Sequence, residues 1–132
     1  MSACVRESRA EGKETNGRRG VTYSVIDVKD FEGRLTPVAR ALGAVTIRAN
    51  QFDSQPNEAS HEHDELRSSQ EELYVPLRGR GDLLIDGETV GLEPGRYVLV
   101  GPSARRQVVA GLEGLSYLVI GALVEGEAAD TV

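Results

Sequence analysis

EELYVPLRGRGDLLIDGETVGLEPGRYVLV, residues 71–100, decides the fold class. Its apolar and β-branched residues fall in short runs (EELYVPL, DLLID, ETVGL, RYVLV), each closed by a turn signal. Asp86-Gly87, set between two apolar runs, is a strong hairpin signal, because a type I′ turn needs positive φ at both central residues. Glu93-Pro94-Gly95 marks another turn, and Gly79-Arg80-Gly81 separates the first two runs. Pro76 has no amide proton to give to a ladder, so its strand lies at a sheet edge or carries a bulge there. Strands this short and this regularly spaced indicate an all-β barrel or sandwich.

The same texture continues on both sides. RRQVVA (105–110) and LSYLVIGAL (115–123) supply two strands downstream, and VTYSVIDV (21–28) and AVTIRANQF (44–52) supply two upstream. TPVARALG (36–43) fits one short helix, with Thr36 as N-cap, Pro37 at the first helical position and Gly43 just past the end. Residues 1–20 mix both charge signs with Gly, Ser and Asn and show no periodicity, and they read as a disordered tail. The barrel domain is expected over residues 21–124, followed by a C-terminal tail at 125–132.

At 132 residues and 39% apolar content, the chain is large enough for one domain with a real core. A net charge of -6 argues against nucleic acid and against an anionic membrane surface as partners. Cys4 is the only cysteine, which excludes an intramolecular disulfide and suits a reducing compartment. The first twenty residues hold no apolar core of signal-peptide length, and nowhere do eighteen apolar residues run together. The expected location is cytoplasmic.

Both histidines of the chain stand in SHEHDELRSSQEELYVPLRG, residues 60–79, one residue apart. HEH, then EELYVPLRG, and PGRYVLVGPSARR further on, resemble the two sequence motifs of the cupin superfamily, in particular its small single-domain bacterial members. The first motif runs G-x5-H-x-H-x3,4-E-x6-G. His61 and His63 match H-x-H, and Glu72 precedes Gly79 by the required spacing. Gln55 stands where the motif has its leading glycine, and eight residues, rather than three or four, separate His63 from Glu72. In the second motif, G-x5-P-x-G-x2-H-x3-N, Gly95 fits. Pro102 is one position out of place, Ser103 replaces glycine, Arg106 replaces histidine and Ala110 replaces asparagine. The resemblance implies a cupin-type double-stranded β-helix, a jelly-roll barrel, over about residues 44–123.

It also implies a chemistry. In a strand, His61 and His63 share the inward face while Glu62 points out. With Glu72 they would form a facial triad for a divalent ion (Fe, Mn, Ni or Zn) with open positions for a ligand. Arg106 offers no lone pair and cannot serve as a fourth ligand. Three arrangements are open to it: a head turned to the barrel mouth, a pair with Glu72 that replaces the metal, or a clamp on a substrate carboxylate. Arg105 falls on the outer face by parity. Tyr74 shares the face of Glu72 and can donate a hydrogen bond inside the barrel. Glu72, Arg106 and Tyr74 are thus the candidate catalytic residues, and His61, His63 and Glu72 the candidate metal ligands. The implied function is a metal-dependent oxygenase, isomerase or cyclase acting on a small, carboxylate-bearing molecule. The alternative is a metal-free small-molecule binder or sensor. A homodimer is expected, because small barrels leave exposed edges that pair across a two-fold axis.

Overall fold

The computed structural model describes residues 5–9 and 21–124. In chain order the elements are β1 (Val5–Arg9), β2 (Val21–Ile26), β3 (Leu35–Thr36), α1 (Val38–Leu42), β4 (Arg48–Ser54), β5 (Gln70–Ile85), β6 (Glu88–Leu92), β7 (Val98–Val100) and β8 (Arg106–Leu123). The main sheet is antiparallel with order β3-β4-β8-β5-β6, and β7 adds to β5. Among the described residues no helix is long and apolar enough to cross a membrane.

Asp86 and Gly87 have φ of 47° and 86°, as a type I′ turn requires, and join β5 to β6. Where the sequence reads four separate strands, however, the structure has two long ones. EELYVPL and DLLID are the halves of the 16-residue β5, and RRQVVA and LSYLVIGAL those of the 18-residue β8. A glycine that ends a strand and a glycine that kinks one look alike in sequence. Here they kink: the register shifts between Pro76 and Arg78 and again between Gly79 and Gly81. Pro76 stands at the bulge, and on the side away from β8 it falls between the stretches paired with β7 (Glu72–Tyr74) and β6 (Gly81–Ile85), so no described strand pairs with it there.

The bends of the two long strands stack. Gly79 and Gly114 have φ of 83° and 81°, and a Cβ on Gly79 would stand 2.3 Å from the Gly114 carbonyl oxygen. Past the bends, Gly81–Ile85 pair with the start of β8 while Gln70–Gly79 pair with its end, so the sheet folds over itself. This is the all-β jelly roll. Tyr74, Leu83, Leu92, Val100, Val108, Leu115 and Tyr117 form its core.

Two expectations need correction. Val5–Arg9, inside the segment read as disordered, pair antiparallel with β2, which supplies a ladder that the short segment's own composition does not advertise. The rest of that tail, and the C-terminal one, lie outside the described residues. The helix also starts later: Thr36 pairs with Gln51 in β3, Pro37 becomes the N-cap, and Gly43 closes the C-terminus at φ 78° as expected.

Candidate functional site

The segment before β5 runs antiparallel to the start of β8 without being a regular strand. Ser60 N–H donates to Val108 O at 2.8 Å, and His63 and Arg106 exchange backbone hydrogen bonds of 3.0 and 2.8 Å. Alternation then places His61 and His63 on the wall of an internal cavity, with Glu62 outside against Arg105 at 3.5 Å. Arg105 is exposed, as parity required.

Of the eight residues between His63 and Glu72, the first six form a compact turn, closed by the Ser69 amide donating to Glu65 O at 2.7 Å, and the last two begin β5. This turn carries Glu65 inward, where its side chain accepts the Ser68 hydroxyl. His63 Nε2 lies 3.0 Å from Glu65 Oε2 and 3.5 Å from Glu72 Oε1. Ligand atoms of His63, Glu65 and Glu72 all stand within 4.8 Å of one another. The group the structure assembles is therefore His63, Glu65 and Glu72, whereas the sequence pointed to His61, His63 and Glu72. His61 lines the same cavity but stands outside that group, and its carbonyl faces His63 Nδ1 at 3.2 Å. Glu65 was hidden in the sequence, because the spacing that departs from the motif is what delivers it.

Arg106 points into the barrel, and its side chain has no solvent exposure. Nη1 donates to Ala104 O at 2.6 Å, Nη2 lies 3.4 Å from Glu72 Oε1, and among the described residues Nε and Nη2 make no hydrogen bond. Of the arrangements open to Arg106, the structure shows the contact with Glu72. The head does not reach the mouth. Arg106 is not among the residues that line the cavity.

Glu72 Oε1 is the hub, because Tyr74 also donates its hydroxyl there at 3.1 Å. Tyr74 is buried, and its hydroxyl pKa is raised well above the usual tyrosine value, first by burial and then by the Glu72 carboxylate. Tyr117 stacks between Phe52 and Tyr74, with ring centroids 5.2 and 6.3 Å away. Burial pushes its hydroxyl up to about 12.

The cavity has a volume of about 380 Å³, in the lower range for small-molecule sites. Its apolar wall comes from Phe52, Val108, Tyr117 and Val119; Arg48, Asn50 and Gln70 line it as well. The donor set fits a divalent cation: one imidazole with Nδ1 directed at a carbonyl and Nε2 at the cluster, and two carboxylates beside it. A single guanidinium opposes the two carboxylate charges, so the pair with Arg106 does not cancel the negative charge offered to the ion.

An antiparallel barrel with a polar cluster on the wall of its cavity defines the fold, and the solved structures agree. A cupin protein from Bacteroides fragilis matches with a TM-score of 0.66 and 21% identity over 80% of this chain and 87% of its own. A Cupin 2 conserved barrel domain protein from Salinispora arenicola matches at 0.54 and 22%, over 66% and 70%. The DMSP lyase DddQ from Ruegeria pomeroyi matches at 0.53 and 18%, over 61% of this chain and 40% of its own. This chain has the cupin fold. No family model matches the sequence, and no curated protein matches it.

Proposed function

We propose that this protein is a small-molecule cupin that holds a divalent cation through His63, Glu65 and Glu72 and acts on an organic substrate in the adjoining cavity. The observation that carries the reading is the convergence of those three side chains within 4.8 Å on the wall of the cavity. A set of two carboxylates and one imidazole accommodates Mn(II), Fe(II), Ni(II) or Zn(II). When bound, the ion supplies Lewis acidity toward a substrate oxygen.

The chain's own residues do the rest. Phe52, Tyr117 and Val119 exclude water from the substrate's apolar part. The Tyr74 hydroxyl and the Arg106 guanidinium hold Glu72 Oε1, the same oxygen that lies 3.5 Å from His63 Nε2. Chemistry of oxygenase, isomerase or cyclase type suits such a site, and one fold neighbour is a lyase. The Arg106–Glu72 contact also supports a second reading, a metal-free binding module in which that pair stands in for the ion.

Elemental analysis after dialysis against manganese or zinc separates the two. The wild type is expected to retain one ion per chain. His63→Ala and Glu65→Gln should lose it while keeping the fold, because His63 meets Arg106 through its backbone alone and neither side chain pairs with the guanidinium. His61→Ala should keep most of it, since it is the backbone of His61 that faces the His63 ring. A wild type that retains no ion favours the binding module.

A further inference from the structure

The end of the cavity beyond Glu72 is built around a missing side chain. In the β4-β8-β5 register, Arg48 pairs with Gly121, and Gly121 with Glu72. A Cβ on Gly121 would lie 2.5 Å from Gln70 Oε1 and 3.8 Å from Arg48 Cβ, so the bare glycine lets the Gln70 carboxamide and the Arg48 side chain share one patch of floor. Asn50, two residues along β4, lines the same cavity. Gln70 is only 5% exposed, yet among the described residues its carboxamide has no hydrogen-bond partner, and Arg48 has no carboxylate. Among the described residues only Arg106 Nε and Nη2 are fully enclosed without a partner, so the Gln70 carboxamide opens onto the cavity and takes its partner from what fills it, next to the exposed Arg48 and Asn50.

We propose that Arg48, Gln70 and Asn50 form a carboxylate subsite, and that the substrate is a small monocarboxylate whose other end reaches the His63–Glu65–Glu72 cluster. A guanidinium offers two parallel N–H groups to a planar carboxylate, and the neighbouring carboxamides add single donors. Charge sets the valence. One arginine balances one negative charge, and the cavity already contains Glu65 and Glu72. A phosphate ester, at about -1.5 to -2, would leave an excess beside them. The clamp considered from the sequence for Arg106 is thus proposed for Arg48, because Arg48 lines the cavity and Arg106 does not. The proposal rests on the cavity being a small-molecule site, and it does not require the metal.

The test titrates chelator-treated protein with benzoate, its neutral counterpart benzamide, and phenyl phosphate, followed by ligand-observed NMR. Benzoate is expected to bind at least roughly tenfold tighter than benzamide and tighter than phenyl phosphate. Arg48→Met should erase the preference for benzoate and leave benzamide binding unchanged, and Arg48→Lys should restore part of it. Manganese uptake by Arg48→Met reports separately on the metal cluster. If the wild type takes up no ion but its benzoate preference depends on Arg48, the subsite stands and only the metal reading falls. Benzoate binding no tighter than benzamide, phenyl phosphate binding tighter than benzoate, or an Arg48→Met variant with unaltered benzoate affinity would overturn the subsite.

Discussion

Arg106 is a full charge on a side chain with no solvent exposure, held by one carbonyl and one carboxylate. It occupies the position at which the cupin motif has a histidine, so its substitution is informative. Arg106→His removes a cation beside the cluster and adds a neutral ring opposite His63. Divalent-ion affinity should rise by roughly tenfold or more, worth at least about 1.4 kcal/mol, in a calorimetric titration. Unchanged affinity would mean that the guanidinium does not act on the cluster. Removing Glu72 alone is a poorer experiment, since it strands Arg106 as an unpaired buried charge at a cost of about 3–5 kcal/mol. The inward pointing of Arg106 was legible in the sequence, because strand parity separates it from Arg105. The role of Glu65 was not, because a turn has no periodicity from which to read a direction.

Tyr74 and Tyr117 make a second prediction at this scale. Both are acids kept neutral by burial, with the Tyr117 value raised from 10.0 to about 12 and that of Tyr74 raised as well. The folded state holds these protons more tightly than the unfolded chain does. The stability they contribute is complete below about pH 10 and is lost as pH rises through about 12. Alkaline titration followed by tyrosinate absorbance should therefore show these two rings ionising together with unfolding, and Tyr117→Phe should weaken that pH dependence. Ionisation of all four tyrosines with the fold intact would contradict the burial argument.

At the scale of elements, the bends in β5 and β8 turn a sheet into a barrel. Gly79 combines φ of 83° with a 2.3 Å approach to the Gly114 carbonyl, so Gly79→Ala should cost about 3 kcal/mol in a denaturant titration. Gly101 meets nothing within 4 Å and has no positive φ, so Gly101→Ala should be close to neutral. Equal effects at the two positions would mean the stacked bends do not matter. The β1-to-β2 pairing and the continuity of the two long strands escaped the sequence for one reason. Both depend on a partner strand, whereas the Asp86-Gly87 hairpin and the Gly43 helix end are written in local backbone chemistry.

At the scale of the whole molecule, the outer face of the sheet is incompletely covered. Leu99 of β7 lies opposite Leu73 of β5, which lies opposite Ile120 of β8, so the three share a face. Leu99 is 61% exposed, and Val75 and Leu118 continue the same row. An apolar face of this kind fits a second copy across a two-fold axis. Light scattering should give about twice the 14.2 kDa chain mass, and Leu99→Glu should shift the protein toward monomer. A monomeric wild type, or a variant that dimerises as before, would remove this face from the interface.

The cation proposed at His63, Glu65 and Glu72 is tested by imidazole-nitrogen NMR on histidine-labelled protein titrated with zinc. His63 Nε2 should move to a metal-bound shift, with Nδ1 still facing the His61 carbonyl and the His61 ring unchanged, in a transition complete at one ion per chain. A His63 ring unaffected at stoichiometric zinc, or a response confined to His61, would contradict it.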